Sequence, residues 1–306
     1  MTDPFDKAAV APETAAFNAR LEEMLSGLPK PYDVPVEMTR RLREEGRSIF
    51  PPAGPCEGSA WEALPDGRRV RVSLPEHAPR GTYLHIHGGG WTFNAPHHYD
   101  AHNQRLARAA GCRAVSVEYR LAPENRWPAQ GEDCLAAARW ALTRFDGPLV
   151  IGGESAGAHL ALLTAIALRD LGAEERIAGL VLNYGMYDLR GTPSVRNWGE
   201  RYLVLSTPVI DWFARNLLAE HPADHPAVSP LMADLAGLPP TLLQIGTADP
   251  LLDDSLFLDA RLRSAGVPAD LAVTPGGVHA FDQFDLPIAR QAQARQDRFV
   301  ADRLAG

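Results

Sequence analysis

The sequence predicts an α/β protein: an eight-stranded, mostly parallel sheet with helices on both faces and a helical cap. Three observations predict it. From Thr82 onward, short apolar segments with β-branched residues alternate with helical segments, the pattern of parallel strands buried on both faces. One such strand, Pro148–Gly152, runs through Gly153-Glu-Ser-Ala-Gly157 directly into an apolar helix. The alternation is then interrupted once, by more than 50 residues rich in aromatic side chains between Tyr184 and Thr241.

Residues 1–50 stand apart from the rest of the chain. Thr14–Leu28 and Pro35–Ile49 have helical spacing; in the first, Phe17, Leu21, Met24, Leu25 and Leu28 share one stripe. Pro29 and Pro31 end that helix, Pro35 opens the next, and Pro51, Pro52, Gly54 and Pro55 mark a break. Strands are expected at Gly58–Leu64, Arg69–Leu74, Thr82–His87, Arg113–Glu118, Pro148–Gly152, Ala178–Tyr184, Thr241–Ile245 and Leu271–Thr274. Helices are expected at His98–Ala110, Ala129–Arg144, Ala156–Leu171, Asp253–Ala265 and Gln283–Leu304. The long interruption contains Tyr187, Trp198, Tyr202, Trp212 and Phe213 and leaves the C-terminal end of a strand, where ligands bind in open α/β sheets. The expected organisation is a catalytic domain over 51–306, with an insertion at about 186–228 that joins residues 1–50 in a cap.

Composition excludes several classes. No apolar run approaches the roughly 18 residues of a membrane span, and Met1–Phe17 lacks the basic and apolar regions of a secretory signal. The 306 residues carry a net charge of −8 with no basic stripe, which argues against a nucleic-acid partner. The short basic runs, Arg40, Arg41 and Arg43, then Arg68, Arg69 and Arg71, read as solvated faces. Three cysteines without motif spacing, Cys56, Cys112 and Cys134, argue against a disulfide framework; Cys112 and Cys134 read as buried thiols, and the chain as cytoplasmic.

The chemistry concentrates in four places. A G-x-S-x-G pentapeptide between strand and helix is the setting of a nucleophile elbow, with Ser155 at its tip and a helix N-terminus behind it to favour negative charge. His87-Gly88-Gly89-Gly90-Trp91 ends a strand, and its glycines free backbone N–H groups to face an oxyanion; Gly89, helped by Gly88 or Gly90, would act with Ala156. His85 and His87 share a strand face, but no third ligand stands at metal spacing, so His87 reads as a structural donor that shapes the loop and no metal site is expected. The serine needs a base and the base an orienting acid, in the chain order Ser, Asp or Glu, His. Of the later histidines, His159 lies one turn along the elbow helix, and His221 and His225 lie in a Pro-rich part of the insertion. His279 follows the last strand through Pro275-Gly-Gly-Val278, a tight loop, and is the best base. Asp249, just past the strand Thr241–Ile245, is the best acid; its rivals Asp253 and Asp254 open a helix, where carboxylates have a structural reason to be. Trp91, Glu154, Tyr187 and Trp198 are expected against the substrate.

These residues resemble the hormone-sensitive lipase-like esterases of the α/β-hydrolase fold, the bacterial family IV type. The resemblance runs in order over about residues 60–300: HGGGW at His87–Trp91, EYRLAPE at Glu118–Glu124, GESAG at Gly153–Gly157, SPL at Ser229–Leu231, GLPPTLLQIGTADPLLDD at Gly237–Asp254 and GVHAF at Gly277–Phe281. It implies a triad of Ser155, Asp249 and His279, oxyanion donors at Gly89, Gly90 and Ala156, a cap over the acyl site, and cofactor-free hydrolysis of short- and medium-chain esters through an acyl-enzyme. It also implies a possible homodimer. Glu154 stands where family members commonly have Asp, and Ala158-His159 where a Gly-Asn pair is common. The GAHLA segment looks more like formamidases and carbohydrate-ester esterases. An arylformamidase or other amidase-type hydrolase with the same triad is the alternative. A hydrolase-fold receptor for a small ligand is the alternative outside enzymes.

Overall fold

The computed structural model describes residues 3–50 and 53–305; the Pro51-Pro52 part of the break lies outside them. Two helices come first, α1 (Pro12–Ser26) and α2 (Val36–Glu44). The sheet then forms from β1 (Ser59–Ala63), β2 (Arg69–Ser73), β3 (Thr82–Ile86), β4 (Arg113–Val117), β5 (Leu149–Glu154), β6 (Ile177–Asn183), β7 (Thr241–Ala248) and β8 (Ala269–Val278). Its order is β1-β2-β4-β3-β5-β6-β7-β8; β1 and β2 pair antiparallel, β2 also meets β4 antiparallel, and the rest run parallel. Around it lie α3 (Asp100–Ala110), α4 (Ala129–Arg144), α5 (Ala156–Asp170), α6 (Pro193–Trp198), α7 (Thr207–Leu218), α8 (Leu252–Ser264) and α9 (Pro287–Leu304). All eight expected strands are present, and α4 has the expected bounds.

The sheet is apolar on both faces because consecutive strand residues point opposite ways. Tyr83, Val150, Val181 and Leu242 turn to the face covered by α3 and α9, where they meet Leu106, Val300 and Leu304. Their neighbours Leu84, Ile151, Leu180, Leu182 and Leu243 turn to the face covered by α4, α5 and α8. Cys112 and Cys134 are buried thiols, as expected, and all three cysteines are free. No described helix is long and apolar enough to cross a membrane.

Three boundaries differ from expectation by four residues or more. The last strand does not stop at Thr274: β8 continues through Pro275-Gly276-Gly277 to Val278, because an irregularity in its pairing with β7 between Gly246 and Ala248 absorbs the bend. Gly246 and Gly277 make this possible, since a side chain on Gly246 would run into the Gly277 backbone. α2 ends at Glu44, not Ile49, and the chain turns at Gly46 with φ +68°. α9 begins at Pro287, after a short turn at Phe281–Gln283.

The expectation that both basic runs are solvated faces is overturned for three of their members. Arg71 is buried, and its guanidinium forks onto the Asp100 carboxylate, with Nε at 2.7 Å from Oδ1. Arg40 ties α2 to the sheet domain, donating to the Thr92 carbonyl (3.0 Å), the Ala122 carbonyl (2.8 Å) and the Glu124 carboxylate (2.9 Å). Arg43 points inward, between Phe50 and Phe93. α1 is fastened elsewhere: the Asn18 amide donates to the Gly276 carbonyl (2.8 Å), and Arg201 of the long insertion grips Glu22 through two hydrogen bonds of 2.8 Å.

Candidate active site

Ser155 stands between β5 and α5 with φ 56° and ψ −120°, a conformation that L residues seldom adopt. The surroundings explain how it is held. Gly153 and Gly157 pack against the end of β3, where a Cβ on either would collide with the Ile86 carbonyl. The Ser155 amide is fixed on the Asn183 carbonyl (2.9 Å). The turn thus lifts the Ser155 hydroxyl off the sheet and leaves the Ala156 N–H as the first free donor of α5.

The structure brings together the three residues that chain order singled out. Asp249 follows β7 and His279 follows β8. The Ser155 hydroxyl lies 2.8 Å from His279 Nε2, and His279 Nδ1 lies 2.9 Å from Asp249 Oδ2. The other Asp249 oxygen accepts the Leu251 amide at 2.9 Å, so the carboxylate is oriented from both sides. Asp249 and His279 are both buried. The rival carboxylates are occupied elsewhere. Asp253 accepts the Ser194 amide (2.8 Å), and Asp254 accepts the Tyr187 and Asp188 amides and the Thr192 hydroxyl at 2.6, 3.0 and 2.7 Å. They bind the start of the insertion to α8, and burial pushes the Asp254 carboxyl up to about 7.

Gly88, Gly89 and Gly90 sit beside Ser155 and Ala156 on the floor of a cavity of about 330 Å³. Gly89 and Gly90 have φ of +118° and +58°, and a side chain on Gly90 would enter the Phe213 ring. His87 supports this loop as expected. Its Nδ1 donates to the Gly88 carbonyl (2.9 Å), its ring stacks on Tyr119 with centroids 4.2 Å apart, and burial pushes its pKa down to about 3. His159 is neutral and spent within the fold. It donates through Nε2 to the Val228 carbonyl (2.8 Å), accepts the Trp91 indole N–H at Nδ1 (3.2 Å), and burial pushes it down to about 4.

Of the four residues expected against substrate, Trp91 and Glu154 line the cavity. Glu154 accepts from His85 Nε2 at 2.9 Å behind the nucleophile turn, while His85 Nδ1 faces the Ser116 hydroxyl at 2.7 Å. Tyr187 and Trp198 do not line it: Tyr187 is buried beneath, and the Trp198 indole donates to the Arg201 carbonyl (2.8 Å) inside the insertion. Aromatic content marked the right segment but not the direction each ring takes. The walls come instead from Leu28 and Met38 of the N-terminal region and Val209, Ile210 and Phe213 of α7. Sequence reasoning also missed Asn94, whose amide donates to the Gly88 carbonyl (3.2 Å). It missed Tyr184, whose ring meets His279 edge-on at 5.0 Å and whose hydroxyl donates to Asp282 at 2.6 Å. Neither has a sequence signal, since both are placed by loops that meet only in the folded chain.

One cluster has metal-ligand residue types. Glu44, His97 and His98 bring their ligand atoms within 4.8 Å of one another. His98 Nδ1, however, accepts the Ala95 amide (3.2 Å), which leaves the proton on Nε2, the atom 3.1 Å from Glu44. A neutral imidazole ligand would need the other tautomer, so the cluster reads as His97 hydrogen-bonded to the Glu44 carboxylate (2.9 Å) with His98 beside its other oxygen.

A model of the alpha/beta hydrolase fold family matches residues 83–283. Ethyl acetate hydrolase of Pseudomonas putida is 34% identical, over 71% of this chain and 72% of its own length. Carboxylesterase NlhH of Mycobacterium tuberculosis is 32% identical, over 85% and 82%. Among solved structures, the Pyrobaculum calidifontis esterase superposes with a TM-score of 0.84 at 31% identity, covering 92% of this chain and 97% of that one. The chain belongs to the α/β-hydrolase family. Within it, it stands with the hormone-sensitive lipase-like esterases that its motifs resemble.

Proposed function

We propose that this chain, a carboxylic ester hydrolase, cleaves short- to medium-chain acyl esters through an acyl-enzyme on Ser155. The observation that carries the reading is the unbroken Asp249–His279–Ser155 chain, 2.9 and 2.8 Å, on the floor of an apolar cavity. His279 Nε2 takes the Ser155 proton as Oγ attacks the ester carbonyl. The tetrahedral oxyanion forms beside the N–H groups of Gly89, Gly90 and Ala156, which strengthen their hold as charge develops. Collapse expels the alcohol, which takes the proton from His279. A water then gives a proton to His279 as it attacks the acyl-enzyme, and collapse releases the acid while Ser155 Oγ leaves with the proton from His279. Asp249 fixes the His279 tautomer and stabilises the imidazolium.

The N-terminal helices and the insertion act as the cap. Leu28, Met38, Val209 and Ile210 supply the apolar wall for the acyl chain. The relative named for ethyl acetate hydrolysis supports the short end of the range. Mixing enzyme with 4-nitrophenyl acetate should release nitrophenol in a burst equal to the enzyme concentration, followed by a slower steady rate. A phosphonate ester should label Ser155 alone. Efficient cleavage of N-formyl anilides with poor ester turnover would instead favour the amidase reading.

A further inference from the structure

The cavity over Ser155 holds a charge imbalance that hydrolysis of a neutral ester does not use. The chain carries a net charge of −8, yet the charged side chains on the cap side of this cavity are Lys30, Arg43 and Arg47, and Lys30 is one of only two lysines. The one carboxylate in the lining, Glu154, is held by His85. Lys30 rests on the Leu25 carbonyl and the Tyr202 ring, and Arg47 has a carboxylate partner in Glu45 (3.2 Å).

Arg43 differs. Among the described residues it has no carboxylate within ion-pair distance, and its one hydrogen bond runs from Nη1 to the Asn94 side-chain oxygen. Its guanidinium lies over Phe93 and Phe50, with ring centroids at 5.1 and 5.7 Å, and burial lowers its pKa without discharging it. Arg43 is half-buried on the cavity wall, and a pocket that took only the acyl chain of neutral esters would be better served there by leucine or methionine. Nε and Nη2 find no acceptor among the described residues, and this pair forms the edge of the guanidinium that matches a carboxylate bidentately. Asn94 holds Nη1 with its oxygen and the Gly88 carbonyl with its amide, so the guanidinium is set in a fixed relation to the glycine loop beside Ser155.

We propose that Arg43 recognises a carboxylate on the substrate, and that the preferred substrates are short esters bearing a second, ionised acid group. This rests on the esterase reading. A carboxylate on the acyl part or on the alcohol would present the same chemistry, and two substrate pairs tell them apart. The first compares mono-4-nitrophenyl glutarate with 4-nitrophenyl butyrate; the second compares 4-butyryloxybenzoate with phenyl butyrate. In the full chain, Arg43→Met should lower the anionic-to-neutral ratio of kcat/KM in one pair by about tenfold or more, mainly through KM. Arg43→Lys should recover part of that ratio. Glutarate should inhibit the wild type competitively and lose potency in Arg43→Met. If Arg43→Met fails to fold, the wild-type ratio should still fall as sodium chloride rises, because the attraction is between charges. A ratio unchanged in both pairs would mean that Arg43 only braces α2 against the glycine loop, and would overturn this inference alone. Failure of the wild type to turn over any of the four esters would overturn the esterase reading and this inference with it.

Discussion

Replacing Ser155 by alanine removes the one oxygen that His279 Nε2 faces at 2.8 Å, while the backbone that holds it stays anchored on Asn183. Turnover of 4-nitrophenyl butyrate should fall by about 10⁶-fold in kcat with an unchanged melting curve. Asp249→Asn should cost about 10⁴-fold, because an amide favours the wrong His279 tautomer. A Ser155→Ala protein with near-normal rates would end the triad assignment. His159 supports a test of a different kind. Folded, it titrates near pH 4 because burial disfavours its charge; unfolded, near the usual value of about 6.5. Between those values the unfolded chain binds the extra proton, so the His159 contribution is complete above pH 6.5 and is lost as pH falls toward 4. The stability gap between wild type and His159→Gln should therefore shrink on acidification through that window, by about 1.4 kcal/mol per pH unit. Urea midpoints at pH 7 and pH 5 measure it, and a pH-independent gap would show that His159 is not buried neutral. At this scale the triad was legible because chain order, strand ends and one pentapeptide constrain it together. Arg43 was not: in the sequence it is one of three nearby arginines, and only the fold separates Arg41, exposed beside Glu45, from Arg43, turned in between two phenylalanines.

Strands and helices carry the site by their ends, so their tolerances are tight. Gly157 is in the first turn of α5, and a methyl group there would meet the Ile86 and His87 carbonyls of the neighbouring strand end. Gly157→Ala should destabilise the fold by at least ~3 kcal/mol, since overpacking against main chain cannot be relieved by a rotamer change. In whatever folds, it should also abolish phosphonate labelling of Ser155. A normal melting temperature would show that the turn is looser than its geometry implies. The strands were legible because two-sided burial leaves short runs of β-branched residues between glycines and prolines. The extension of β8 was not, because Pro275-Gly276-Gly277 has the composition of a loop. What keeps it in the sheet is a register irregularity in which Pro275, Gly276 and Gly277 of β8 stand opposite Thr247 alone on β7, and such irregularities follow from pairing rather than from either strand alone.

The whole molecule joins two distant chain segments over one cavity. Leu28 and Met38 arrive from the N-terminal region, and Val209 and Ile210 from the insertion, which Glu22 and Arg201 clasp together. Filling that space should shorten the acceptable acyl chain. Ile210→Trp should lower kcat/KM for hexanoyl relative to acetyl esters, each excluded methylene forfeiting about 0.8 kcal/mol of burial. Deleting residues 1–45 should likewise raise KM for hexanoyl more than for acetyl esters, provided the truncated chain stays soluble despite its exposed pocket. An unchanged chain-length preference in both variants would remove the cap from the acyl site. The insertion's place was visible in the sequence as a break in alternation, but its fastening to α1 depends on side chains 179 residues apart.

The order β5-β6-β7-β8 runs along the sheet as it runs along the chain, with Ser155, Asp249 and His279 at the ends of the first, third and fourth of these strands. A ribosome therefore makes the proposed nucleophile more than a hundred residues before its proposed base. On the proposed triad, Ser155 is an ordinary alcohol until β8 pairs, and reactivity toward a phosphonate becomes a clock for the closing of the sheet. Stalled nascent chains of increasing length, probed with a fluorescent phosphonate, should stay dark until His279 has cleared the exit tunnel and then switch on within a few residues.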